Sequence, residues 1–384
     1  MEDKTKLDFI WNISLVCPWD CQFCCTDAVN VRRNGKTISV RESGLTQKRA
    51  IDMTVSDMPS STLQRLKDRN IEPNIFDIAL NNRQMQGLEL DYEGKVKVLE
   101  NISSSPVEID FAGGDPLACY ENFLVIQEAS KRFGKNNISV TSTGASLGRY
   151  SLHEISSVIG KYEFTFDEPI EHLPTNRPQG YNKANLKIAR KLSEANVRTK
   201  AQMPLHSGNM DLGKVSMVYQ ALHEAEIDEL LLMRVFPVGR GIGTYSDFSP
   251  NRDAYIKVIN EFRALERRYS YPRIRLQCAL KHLDDITYNA NPCDLMRTSY
   301  GINSRGDLLI SAWATGPTGS PLDDAFILGN LRHSTFQSLL NSQKAKAYLA
   351  KLDMNWGHCK IFSFLFSESQ DSESLFAKSD PLYL

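Results

Sequence analysis

Short apolar runs recur along the chain, and amphipathic stretches separate most of them. DFIWNISLV (Asp8–Val16), VEIDF (107–111), ISVTS (138–142), YEFTF (162–166), VRTKAQM (197–203) and ELLLMRVF (229–236) read as strands. Between them, Tyr120–Phe133 reads as a helix and a shorter one falls near 151–159. NKANLKIARKLSEANV places Leu186, Ala189 and Leu192 on one helical face. LGKVSMVYQALHEA and a charged segment over 251–268 complete the helices. Strands alternating with helices predict a parallel sheet with right-handed crossovers. Such sheets bind ligands at the C-terminal strand ends. The polar punctuation CPWDC, GGDP, STGAS, DEP and PVGRG lies there. The expected fold is α/β, a partial (β/α)6 TIM-like barrel over 1–270.

Two regions break the rhythm. Residues 32–100 are longer than one βα connection needs and contain helix-like pieces, SSTLQRLKDRN and IFDIALNNRQMQG. They read either as an insertion covering an opening or as a surface excursion. Residues 271–363 lack a clean βα pattern and predict a small α+β C-terminal extension. Residues 364–384, with SESQDSES, read as a polar, mobile tail.

Composition adds mainly exclusions. The 384 residues are 41% hydrophobic, enough for a sizeable core. With 45 basic and 46 acidic side chains the net charge is -1, so no nucleic-acid partner is expected. No signal peptide and no membrane-length apolar run is seen, so no membrane partner is expected either. Eight cysteines in a chain of this size favour a reducing, cytoplasmic setting.

Four of those cysteines fall in CPWDCQFCC, with Cys17, Cys21 and Cys24 spaced Cys-x3-Cys-x2-Cys. Soft sulfur suits iron–sulfur clusters, copper(I) or zinc. Structural zinc wants four protein ligands, and Cys25 is awkwardly placed beside Cys24. Three thiolates leave one iron of a cluster open. A redox pair would leave Cys17 unexplained. This loop, with Phe23 before its last cysteine, resembles the signature of the radical S-adenosylmethionine enzymes. The resemblance implies a [4Fe–4S] cluster on Cys17, Cys21 and Cys24. It also implies S-adenosyl-L-methionine on the open iron, cleaved reductively to a 5′-deoxyadenosyl radical. Cys25 has no ligand role in the pattern.

Later segments follow the family's order. Gly113, Gly114, Asp115 and Pro116 resemble its Gly-Gly-Glu-Pro segment, with aspartate for glutamate, and by that likeness contact the cofactor. Thr141, Ser142 and Thr143 resemble strand-end contacts to its carboxylate or ribose; water-facing hydroxyls explain them equally. Asp167, Arg177 and Gly180 occupy the places of a recurring aspartate and Arg-x-x-Gly. An arginine there can pair with a carboxylate or bridge a loop. VFPVGRG (235–241) resembles a turn in peptide-modifying members.

The C-terminal region resembles a degenerate SPASM or twitch extension. From Cys293, Gly306 follows after twelve residues, but Ser311 stands where a cysteine is expected. Cys278, Cys293 and Cys359 remain, as ligands of one auxiliary cluster or as three buried apolar thiols. The serine favours no auxiliary cluster. Cys119 reads as core packing before hydrogen-atom donation. Trp11 and Trp19 shield the cluster or simply pack. The seven histidines show no metal-binding spacing.

The resemblance thus implies a radical enzyme abstracting hydrogen from a substrate, foremost a ribosomally made peptide. Alternatives are tailoring of a small molecule (sugar, nucleoside or antibiotic precursor) and a non-catalytic iron–sulfur or zinc-binding interaction protein. Flavodoxin or ferredoxin is the expected type of electron donor. No residue identifies the group that reacts with substrate.

Overall fold

In a parallel sheet flanked by helices, alternate residues of each strand face either the helices or the interior of the curve. The computed structural model describes residues 6–35, 37–41, 49–51, 58–102, 106–168, 175–284 and 291–383. In it the six expected strands form within a few residues of their predicted positions. They are β1 (Leu7–Ser14), β6 (Val107–Gly113), β7 (Ile138–Ser142), β8 (Lys161–Thr165), β9 (Arg198–Leu205) and β10 (Glu229–Arg234). All pair in parallel, in the order β10-β9-β8-β7-β6-β1.

Four further strands extend this sheet. β11 (Arg273–Leu276) lies parallel beside β10, and β12 (Ser299–Ile302) parallel beside β1. β13 (Asp307–Leu309) and β14 (Ile327–Asn330) continue antiparallel from β12. The sheet runs from β11 to β14, with no pairing between those ends among the described residues.

Several helices begin where a side chain satisfies their first amides. α2 (Ile75–Met85) opens on an Asn74/Asp77 capping box, and α5 (Leu152–Val158) on Ser151/Glu154. α4 (Tyr120–Phe133), α6 (Tyr181–Glu194), α7 (Leu212–Glu224) and α9 (Arg252–Tyr269) cover the sheet where the periodicity predicts, with the one-turn α8 (Tyr245–Phe248) before α9. Ala189 and Leu192 are buried on α6, while Leu186 packs at the edge of the core.

Residues 32–100 supply α1 (Ser60–Lys67), α2, α3 (Tyr92–Asn101) and a second sheet. That sheet joins β2 (Val16–Cys17), β3 (Val29–Asn34), β4 (Thr37–Arg41) and β5 (Arg49–Ile51) in this order. Because β2 pairs Cys17 with Asn30, the excursion is built onto the first cysteine. It is tied down further by Arg41 on Asp20 at 2.7 Å and by the Leu15 amide on Glu89 at 3.0 Å.

The polar tail is corrected by the structure. Leu375, Phe376 and Leu382 are buried, and Asp380 is fully enclosed. Asp380 accepts two hydrogen bonds, 2.8 and 2.9 Å, from Arg234 at the end of β10. A few apolar side chains and one buried charge pair dock a segment whose average composition is polar.

Candidate active site

β1 delivers the cysteine loop to the C-terminal edge of the sheet. Cys17 and Trp19 are buried there, with Tyr181 edge-on to Trp19 at 5.3 Å, and Cys21 and Cys24 pack against them. Several donors point at the sulfurs. The Trp19 amide is 3.4 Å from Cys17 Sγ, and the Ala28 amide 3.3 Å from Cys24 Sγ. Burial pushes the Cys17 thiol well up, and the charges of Asp115, Cys21 and Cys24 push it further. Cys21 is also raised by burial, with Arg177 opposing. Three thiols gathered on one loop suit a cationic, soft metal centre bound among them.

The loop is clamped from outside by the PVGRG turn. Arg240 donates to the carbonyls of Cys21 at 2.5 Å and Ala28 at 2.6 Å, and to Asp27 at 3.2 Å. Its own amide donates to the Cys24 carbonyl at 2.9 Å. Gly239, at φ +55°, approaches so closely that a Cβ would lie 2.6 Å from the Cys25 carbonyl oxygen. The Gly239 amide in turn donates to Thr315, tying both to the C-terminal region.

One cavity of about 250 Å³ joins most of the predicted residues. Cys17, Cys21 and Cys24 line its upper part, with Gly113, Gly114, Thr141, Thr143 and Arg177. Cys25 and Trp19 also reach it, and Ala312 and Trp313 come from the C-terminal region. Gly113 sits at φ +117°, and a Cβ on it would lie 2.3 Å from the Ser14 carbonyl oxygen. A Cβ on Gly114 would lie 2.4 Å from that of Val16. The glycines therefore bring the end of β6 against the start of the cysteine loop.

Asp115, Pro116 and Asp167 do not line the cavity. Asp115 is fully buried, accepting from Ser142 Oγ at 2.9 Å, from Thr143 Oγ1 and from the Leu117 amide. It fixes the β7 end. Burial raises its carboxyl despite these bonds. Asp167 accepts from the Tyr181 hydroxyl and pairs with Arg177. Burial opposes the charge of Arg177, but Asp167 and Cys21 hold it ionised. Phe23 and Tyr181 flank the guanidinium at 5.3 and 5.5 Å. Its Nε is buried with no acceptor among the described residues, a donor suited to a ligand carboxylate.

Trp11 packs in the core against Phe111 at 5.5 Å and does not line the cavity. Cys119 also lies away from it, with Sγ 3.4 Å from the Phe76 carbonyl. Cys278, Cys293 and Cys359 lie near enough to one another to interact electrostatically. Ser311 is buried and accepts from the Trp313 amide at 3.2 Å. Among the described residues no three His, Cys, Asp or Glu side chains are arranged to hold a single metal ion. A four-iron cluster is bound at separate irons, so its cysteines need not converge on one point.

Below the cysteines the lumen is charged, a feature the sequence analysis overlooked. Asp8, Asp110, Thr141, Lys161, Glu163 and Lys200 line it. Their signal was alternation: Glu108-x-Asp110, Lys161-x-Glu163 and Lys200-x-Gln202 put polar groups at every second place of strands with covered outer faces. Ordinary barrels fill these positions with branched apolar residues.

No protein-family model and no curated protein sequence matches this chain. Solved structures do. Streptococcus suis SuiB bound to S-adenosylmethionine superposes with a TM-score of 0.61 at 11% identity, over 99% of this chain and 78% of that one. SuiB bound to precursor peptide SuiA gives 0.58 at 11% identity, over 99% and 76%. Native anSMEcpe with bound AdoMet and Cp18Cys peptide gives 0.55 at 15% identity, over 98% and 95%. The likeness is one of fold, spanning nearly the whole chain.

Proposed function

We propose that this protein is a radical S-adenosylmethionine enzyme that modifies a peptide. The observation carrying the proposal is the meeting of Cys17, Cys21 and Cys24 with Gly113, Gly114 and Arg177 around one cavity at the C-terminal strand ends. Cys17, Cys21 and Cys24 would hold a [4Fe–4S] cluster, and the glycine turn, Thr141, Thr143 and Arg177 would hold S-adenosyl-L-methionine. Bound together and reduced by a flavodoxin- or ferredoxin-type donor, these groups supply a 5′-deoxyadenosyl radical that abstracts a substrate hydrogen.

The chain's own contribution is placement and exclusion of water. Arg240 and Gly239 fix the loop backbone. Asp167 and Tyr181 hold Arg177 at the cavity wall. Asp115 locks the β7 end beside the glycine turn. Trp19 and Trp313 close the sides, which limits solvent access and influences the potential of a bound centre.

Peptide substrates are supported by the fold likeness to SuiB and anSMEcpe, whose structures contain SuiA and Cp18Cys peptides. The charged lumen favours a second reading, tailoring of a small polar molecule enclosed by several strands. We assign residues 271–363 to a degenerate SPASM-like extension, with Ser311 in the place of a cluster cysteine and no auxiliary cluster. The test is incubation of reduced, reconstituted protein with S-adenosyl-L-methionine and candidate peptides. Formation of methionine and 5′-deoxyadenosine, accelerated by a peptide, is expected. Acceleration by small polar molecules alone would favour the second reading.

A further inference from the structure

The inference deepens the proposed function, since it takes the cavity as the substrate site. It starts from how the lumen's charges are distributed. Lys200 lies 2.6 Å from Glu163, and Lys161 lies 3.1 Å from the same carboxylate and 3.4 Å from Glu108. Gln202 donates to Glu163 as well, at 2.7 Å. Burial opposes ionisation of Glu163, yet the two lysines hold its pKa well below the usual carboxylate range. Both lumen cations are thereby committed.

Asp110 feels both lysines through space but, among the described residues, neither is within ion-pair distance of it. Its carboxylate lines the same cavity and, among the described residues, accepts only from the Thr141 hydroxyl, at 3.0 and 3.2 Å to its two oxygens. Among the described residues it is in no ion pair, and neither is Asp8, which also lines the lumen. A carboxylate offers about four acceptor sites. Those on Asp110 beyond the contact with Thr141 are unused among the described residues. An entering anion would meet Asp8, Asp110 and Glu163 and be repelled, whereas an entering cation would complete the charge pattern. With Thr141 already against both oxygens, a compact ammonium fits better than the two-pronged approach of a guanidinium.

We propose that Asp110 forms the floor of the substrate site and receives a primary ammonium group of the substrate, such as a lysine side chain inserted down the lumen from the cysteine end. The peptide main chain would then lie across the mouth, and the side-chain carbons would pass beside the cofactor region.

Calorimetric titration of the full chain, as purified and after anaerobic reconstitution, tests this with two probes. These are acetyl-Gly-Lys-Gly-amide and its uncharged norleucine counterpart. The lysine peptide should bind about tenfold more tightly or better, consistent with a net charge pair. Asp110→Asn keeps the shape and an acceptor for Thr141, and should bring the two probes to within about threefold. Thermal melts of the variant establish that it is folded. Equal binding of both probes to the wild type, binding of neither, or an unchanged lysine preference in Asp110→Asn would overturn the proposal. So would loss of the preference in Asp8→Asn but not in Asp110→Asn. The titration involves no turnover, so it can fail while cofactor cleavage stands, and the reverse.

Discussion

Arg240 binds the cysteine loop through both its guanidinium and its main-chain amide. Its guanidinium spans Cys21, Ala28 and Asp27, and it is buried. Removing it strands the partners of a buried charge, at a cost of about 3–5 kcal/mol. Arg240→Ala should therefore lower stability in denaturant titration by that order and reduce iron retained after reconstitution. Wild-type stability and iron content together would contradict the clamp. Asp110 gives a pH-dependent prediction. Burial, with the charge of Glu163, raises its carboxyl from 3.8 to about 7. Between those values the folded state binds more protons than the unfolded one, so this group makes stability fall as pH rises. Asp110→Asn should thus stabilise the fold above pH 7, by about 1–4 kcal/mol, and give no gain below pH 4. A gain largest at low pH would contradict the assignment. The cysteines and glycines were legible because their chemistry or backbone freedom is local to the sequence. Asp110 was not, because its meaning depends on which lysines neighbouring strands spend elsewhere.

At the level of elements, the parallel strands β1 and β6–β10 and helices α4, α6, α7 and α9 were legible because each carries its own periodicity. The order β11-β10-β9-β8-β7-β6-β1 follows from the simple rule that successive βα units add beside one another. The attachment of β12 to the free side of β1 was hidden, since it joins residues some three hundred positions apart. α3 was also missed; its helix carries Lys95 fully buried on Glu121 and Asn122, against the usual placing of lysine outside. The closing segment misled because averaging over SESQDSES conceals Leu375, Phe376, Asp380 and Leu382. Truncation after Phe366 should leave Arg234 buried without its carboxylate and expose an apolar seam. We expect destabilisation by about 3 kcal/mol or more and a loss of soluble protein. Asp380→Asn in the full chain should reproduce part of that loss. An unchanged melting profile for both would show that the docked segment contributes nothing.

Across the whole molecule, the excursion at 32–100, the cysteine loop, the PVGRG turn and the C-terminal region meet around one rim. β2 ties the excursion to Cys17, Arg240 ties the turn to Cys21, and Gly239 ties both to Thr315. No described residue of 37–100 lines the cavity, so this excursion braces the loop from behind. Its helices α1 and α2 were visible in the sequence, while its side of the loop was not. Among the described residues no helix is long and apolar enough to cross a membrane. The gathering of Cys278, Cys293 and Cys359 makes iron counting informative. With Cys17, Cys21 and Cys24 all replaced by alanine, near-zero iron is expected after reconstitution. Retention of about four irons per chain would place a cluster on the C-terminal cysteines instead. The central claim is tested most directly by the fate of S-adenosyl-L-methionine on the reduced wild-type protein and on that triple variant. The account predicts methionine and 5′-deoxyadenosine from the wild type and neither from the variant. Failure of the wild type to cleave, with an intact and reducible cluster and candidate peptides present, would contradict it, as would undiminished cleavage by the variant.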